Sequence, residues 1–175
     1  MSLKKTTFDQ IFEDPKYGTF TSFQVVKLLN IKKERLQEWL YKGFIKPEVR
    51  ASGRGTKNRF SLKNLYEIAL FSYLLKKGVS RKEGSKILKT GVLDTLERFK
   101  KTTMKSVKSD LPFKSIKPVL IIYKTGEKYS SETIFDKKIG FEIQPDIIHR
   151  NIDEVQIINI SKIIKAVDNA VRKMS

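Results

Sequence analysis

The chain has 175 residues, no cysteine, and 36 Lys+Arg against 19 Asp+Glu, a formal net charge of +17. Without thiols it can have no disulfide scaffold, thiolate zinc site or thiol redox chemistry. No apolar run approaches the ~20 residues that a membrane helix needs, and the length suits one ordinary domain or two small ones with a real core.

The charge is uneven. Residues 1–110 hold 25 Lys+Arg against 11 Asp+Glu, and residues 111–175 hold 11 against 8. A strongly basic front and a nearly balanced back point to a polyanionic partner for the front. The opening MSLKKTTFDQ has two lysines but no apolar core after them, so it does not read as a secretory signal. Residues 1–19 read as a leader punctuated by Asp14, Pro15 and Gly18. The location that fits such a chain is the cytoplasm.

The first convincing helix begins at Thr21, a capping residue with Gln24 three positions on, and Asn30 can end it. After a short turn, KKERLQEWLYKG predicts a second helix ending at Gly43, with Leu36, Trp39 and Leu40 on one apolar face. Two short helices joined by a tight turn are a helix-turn-helix signature, a geometry in which the second helix enters the DNA major groove. Next comes FIKPEVRASGRGTKNRF, read as a hairpin with strands at Phe44-Ile45 and Asn58-Arg59-Phe60 and a glycine-rich tip. Ser61 caps a long apolar helix closed by Gly78, and Ser80 caps another, with Leu62, Leu65, Ile68, Ala69, Leu75, Ile87 and Leu88 as core. Residues 92–109 suit one more helix, and DLPFKSIKP marks a boundary near residue 110. Beyond it, PVLIIYKTGEKYSSETIF predicts a hairpin turning at Thr125-Gly126. GFEIQPD and EVQIINI predict further strands, and a last helix starts at Ser161. Its stripe of Ile163, Val167, Ala170, Val171 and Met174 suits either its own sheet or a second subunit. The fold class expected is a mainly α N-terminal domain over residues 20–110 and a small α+β domain over residues 111–175.

Several features in order resemble the DNA-binding domain of the MerR family across residues 20–88. They are TSFQVVKLLN, the turn at Ile31, KKERLQEWLYKGFI, the Lys46-Pro47 step with the basic loop after it, RFSLKNL, and LLKKGVSRKEGSKIL. The resemblance implies a winged helix-turn-helix domain that binds duplex DNA, usually as a dimer on a two-fold site. The chain departs from the family where Glu38-Trp39-Leu40 replaces the usual Arg-Tyr-Tyr, and its loop is longer and richer in glycine.

Candidate contacts follow from side-chain chemistry. On the second helix these are Lys32, Lys33, Arg35, Gln37, Tyr41 and Lys42, because Arg pairs bidentately with guanine, Gln with adenine, and a tyrosine hydroxyl reaches phosphate. In the loop they are Arg50, Arg54, Lys57 and Arg59, placed for the phosphate backbone or a narrow minor groove. Trp39 reads as core, since its ring can cover the first helix. A phosphate-binding P-loop does not fit: Gly53 and Gly55 lack that motif's spacing, and no buried apolar strand precedes them. His149, the one histidine, stands near Asp146 and Asp153, yet one histidine without cysteines cannot build the usual zinc set. No metal, cofactor, nucleophile or catalytic base is expected.

The reading is therefore a sequence-specific, double-stranded DNA-binding transcriptional regulator. The back half would serve a homodimer contact or a small-molecule or protein effector. An architectural DNA binder of the excisionase-like or partition type is the alternative, and an enzyme with a basic substrate surface is the third.

Overall fold

The computed structural model describes residues 20–53, 55–93, 119–134 and 152–174. In chain order the elements are β1 (Phe20–Thr21), α1 (Ser22–Leu29), α2 (Lys33–Tyr41), β2 (Arg59–Phe60), α3 (Leu62–Lys76), α4 (Arg81–Lys89), β3 (Val119–Thr125), β4 (Lys128–Ile134), β5 (Glu154–Asn159) and α5 (Ile160–Arg172). The described residues form two compact units. One takes those up to Ala69 and from Val167 onward, the other Leu70–Ala166, so the division falls within α3 and within α5. The expected leader, the boundary near residue 110, most of the helix over 92–109, the strand GFEIQPD and His149 lie outside the described residues. Among the described residues no helix is long and apolar enough to cross a membrane.

In the first unit, local chemistry sets the helix ends. Thr21 and Gln24 close a capping box on α1: the Gln24 N–H donates to the Thr21 hydroxyl at 3.3 Å, and the Thr21 N–H donates to Gln24 Oε1 at 2.8 Å. Asn30 ends α1 in the left-handed region at φ 48°, a conformation asparagine tolerates better than most residues. Gly43 does the same for α2 at φ 69°. Around it the Phe44 N–H reaches back to Trp39 O at 2.9 Å and the Gly43 N–H to Leu40 O at 3.2 Å, the bond pair of a Schellman ending. Phe44-Ile45, expected as a strand, is taken up by this ending: the Ile45 N–H also turns toward Trp39 O, at 3.4 Å. Helix α1 packs against α2 and the β1–β2 ribbon. Val25, Leu36, Trp39, Ile45, Phe60, Leu62, Leu65, Tyr66, Ile68 and Val167 are the unit's buried apolar residues.

Tyr66 is 4% exposed, and its hydroxyl donates to Asp168 Oδ1 on α5 at 2.5 Å. Burial foremost, then the hydrogen bond and the charge of Asp168, hold its phenol far above the ordinary 10.0. An acid whose pKa is raised on folding contributes stability below its unfolded value and loses it as pH climbs above that value.

The second unit is a three-stranded antiparallel sheet in the order β4-β3-β5 with helices on one face. Central β3 is buried from Val119 to Tyr123. Its Leu120 and Ile122, with Ile158 and Ile160, pack with Leu70, Leu74, Val79, Ile87 and Val92. Its alternate residues Val119, Ile121 and Tyr123 cluster with Ile152 and Val155 on the other face. The β3–β4 turn is Gly126-Glu127, one residue later than expected, since Thr125 pairs with Lys128. Ile163 of α5 packs on this core, whereas Met174 at the end of the expected stripe is exposed.

Gly84 lets α4 lie close to α3. A Cβ built there meets the Phe71 ring at 3.1 and 3.2 Å and Leu74 at 3.9 Å. Phe71 is fully buried and has nowhere to swing.

Two outcomes follow. Tyr66→Phe lowers stability at pH 7 by about 1.5 kcal/mol, the low end for a bond to a charged group because Asp168 is half-exposed. The variant also lacks the part of the stability loss that the wild type shows as pH rises above 10.0, the ordinary tyrosine value. Urea titrations at pH 7 and in alkali read both. Gly84→Ala gains about 1 kcal/mol of helix propensity but overpacks the Phe71 ring at about 1–3 kcal/mol, so its urea midpoint falls with an unchanged m-value.

Candidate nucleic-acid interface

Helix α2 can bury only one side. Leu36 and Trp39 are each 1% exposed, which fixes the roll of the helix about its axis. Truncating a buried Trp costs about 3–5 kcal/mol, a large share of a domain's whole stability, so Trp39 holds the fold and does not stack on a ligand. With that side committed, Lys33, Glu34, Arg35, Gln37, Tyr41 and Lys42 are all exposed.

These side chains sort into rows by helical spacing. Lys33, Gln37 and Tyr41 stand at i, i+4 and i+8 and form one row, with Tyr41 87% exposed. Arg35, Glu38 and Lys42 form another, and within it Lys42 Nζ lies 3.6 Å from Glu38 Oε1. An exposed i,i+4 pair contributes only about 0.3–0.5 kcal/mol, so Lys42 is readily surrendered to a phosphate. Glu34 sits in the first turn, where its charge suits the helix dipole. Lys32 occupies the N-cap position, makes no side-chain cap bond and is exposed. The helix therefore carries acids among its bases, and its exposed row is polar rather than strongly cationic.

The concentrated positive charge lies in the loop from Val49 to Arg59. These two residues bridge in antiparallel fashion: the Val49 N–H donates to Arg59 O at 3.1 Å and the Arg59 N–H to Val49 O at 2.9 Å. Arg59 is also the β2 partner of Thr21, the residue that caps α1. Phe60 beside it is fully buried, so strand alternation turns the Arg59 side chain outward. Arg50, Lys57 and Arg59 are exposed, and Arg54 lies outside the described residues. In place of the hairpin expected from the sequence, a single bridge joins Val49 to Arg59, and the strand that pairs with β2 is β1.

Sequence reasoning passed over two groups at this site. Thr56 and Asn58 bond inside the loop: Ala51 N–H reaches Asn58 Oδ1 at 2.8 Å, and Ser52 and Gly53 N–H both reach Thr56 Oγ1 at 2.9 Å. Ser, Thr and Asn next to glycine are the residues that make such local turns, and that signal was available. Phe23, in the first turn of α1, is 76% exposed, large for an apolar side chain in a helix that otherwise packs. In the second unit, Lys76, Lys77, Arg81, Lys82, Lys86 and Lys89 are exposed along the end of α3 and through α4, with Lys86 paired to Glu83 at 2.8 Å.

Residues 20–90 match the family model described as MerR HTH family regulatory protein. A search of curated proteins finds no match to the chain. The region that holds α1, α2, the basic loop, α3 and α4 is thus a MerR-like helix-turn-helix domain, of a kind found in DNA-binding regulators, and it is followed by a small sheet with a helix.

Proposed function

We propose that this protein is a transcriptional regulator that binds double-stranded DNA in the cytoplasm. In this reading α2 is the recognition helix. The row of Lys33, Gln37 and Tyr41 enters the major groove, where Gln37 has the chemistry to pair with an adenine edge. Lys32, Arg35 and Lys42 flank that row and meet phosphates. The Val49–Arg59 loop is the wing, and Arg50, Arg54, Lys57 and Arg59 lie along the backbone. The observation that carries the reading is the division of labour in the first unit. A helix whose roll is fixed, with the mixed polar row of Lys33, Gln37 and Tyr41, shares the unit with a cationic loop anchored at the cap of α1. Phosphate charge gives affinity without sequence information, and base edges give sequence information, so a DNA reader needs both surfaces.

Residues 111–175 would supply the contact with a second copy, placing two α2 helices on inverted half-sites, or the seat of a small-molecule or protein effector. The nearly balanced charge of residues 111–175, 11 Lys+Arg against 8 Asp+Glu, suits a role away from the phosphates.

Fluorescence anisotropy on a labelled mixed-sequence duplex tests the electrostatic half. Affinity falls steeply with salt, and Arg54→Ala and Arg59→Ala each reduce the log–log slope by about one. Retention that is equal at low and high salt would remove this reading. On a selected site, Gln37→Ala relaxes preference at one position, at about 1–3 kcal/mol, and leaves the salt slope alone.

A further inference from the structure

The tip of the basic loop is closed by a single hydroxyl. Thr56 Oγ1 accepts from the Ser52 and Gly53 N–H groups, each at 2.9 Å, and donates to Gly53 O at 2.7 Å. A threonine hydroxyl has one donor and two acceptor positions, so all three are in use. The Thr56 N–H reaches the same Gly53 O at 3.1 Å, and Asn58 Oδ1 holds Ala51 N–H at 2.8 Å below the tip. These groups are exposed, apart from half-buried Asn58, and take no part in the apolar core. A glycine-rich loop left to itself is expensive to order, because glycine loses the most conformational freedom. The cross-bonds do that ordering before any partner arrives.

We propose that Thr56 is a positioning residue for phosphate binding. Its hydroxyl holds the tip so that Arg50, Lys57 and Arg59 are presented together, and it does not itself bond to DNA. The inference rests on the DNA-binding reading above and adds a prearranged loop to it. With its O–H already donated to Gly53 O, Thr56 has no proton for a phosphate oxygen. A preformed loop spares the ordering cost that binding would otherwise carry.

The test uses the full chain and three variants, Thr56→Val, Thr56→Ser and Asn58→Ala. Affinity for a labelled duplex is measured at several salt concentrations, and 15N order parameters are measured on the free protein. Thr56→Val is expected to weaken binding roughly three- to tenfold, in line with the cost of ordering a few groups on binding. Its salt slope should stay that of the wild type, because no cation is removed. The Ser52 and Gly53 amides should fall from rigid values near 0.85 toward values below about 0.6. Thr56→Ser should restore both readouts, Asn58→Ala should shift both in the same direction as Thr56→Val, and urea midpoints should not move. If Thr56→Val binds like the wild type, the proposal is wrong while DNA binding stands. Weaker binding with unchanged order parameters also overturns it, in favour of a direct bond from the hydroxyl. If the wild type itself shows no salt-dependent binding, the DNA-binding reading fails and this inference goes with it.

Discussion

The backbone of Arg59 is the constraint around which the candidate interface is arranged. On one side it pairs with Thr21, the cap of α1, and on the other it exchanges two hydrogen bonds with Val49 at the base of the loop. Its neighbour Phe60 is fully buried. Strand geometry then leaves the Arg59 side chain no direction but outward. A loop of some ten residues is thereby tied to the start of the helix-turn-helix. Without that tie its cations would be tethered charges whose ordering had to come from the binding energy.

The second helix obeys a complementary constraint. Leu36 and Trp39 must be dry, and their burial sets which side chains look outward. The result is a row of Lys33, Gln37 and Tyr41 that mixes hydrogen-bonding groups with one charge, flanked by Lys32, Arg35 and Lys42 and by the acids Glu34 and Glu38. Such a row suits a surface that approaches base edges and relies on hydrogen-bond pattern, while the loop supplies attraction to the backbone. The chain's charge of +17 adds steering toward any polyanion, but steering alone does not choose a sequence.

What could be read from sequence was local. The capping box at Thr21 and Gln24, the stop at Asn30, the end at Gly43 and the cap at Ser80 each depend on residues within one turn, and each stands where the pattern placed it. The match of residues 20–90 to a MerR-like domain agrees with the order of motifs over 20–88. What escaped was non-local. Phe44-Ile45 looks like a strand by composition, but the Schellman ending of α2 claims its N–H groups. The partner of Arg59-Phe60 is Phe20-Thr21, almost forty positions away, and no short-range signal announces such a pairing. Helix α3 is apolar on several sides, so periodicity marked Leu75 as core and passed over Leu70, Phe71 and Leu74, which are the more buried. For the candidate interface, charge drew attention to the cations of the loop. The hydroxyl and amide that hold the loop together carry no charge, so a reading guided by charge had no reason to stop at them.

The central claim is that α2 reads a DNA sequence while the loop grips its backbone. Selection of duplexes from a random pool by the full-length protein tests that claim most directly. The account predicts enrichment of a short motif in two inverted copies, spaced by about one helical turn or a multiple of it, as two recognition helices related by a two-fold axis require. A pool that is retained but acquires no motif would contradict it, because it would show attraction to phosphate with no reading of bases.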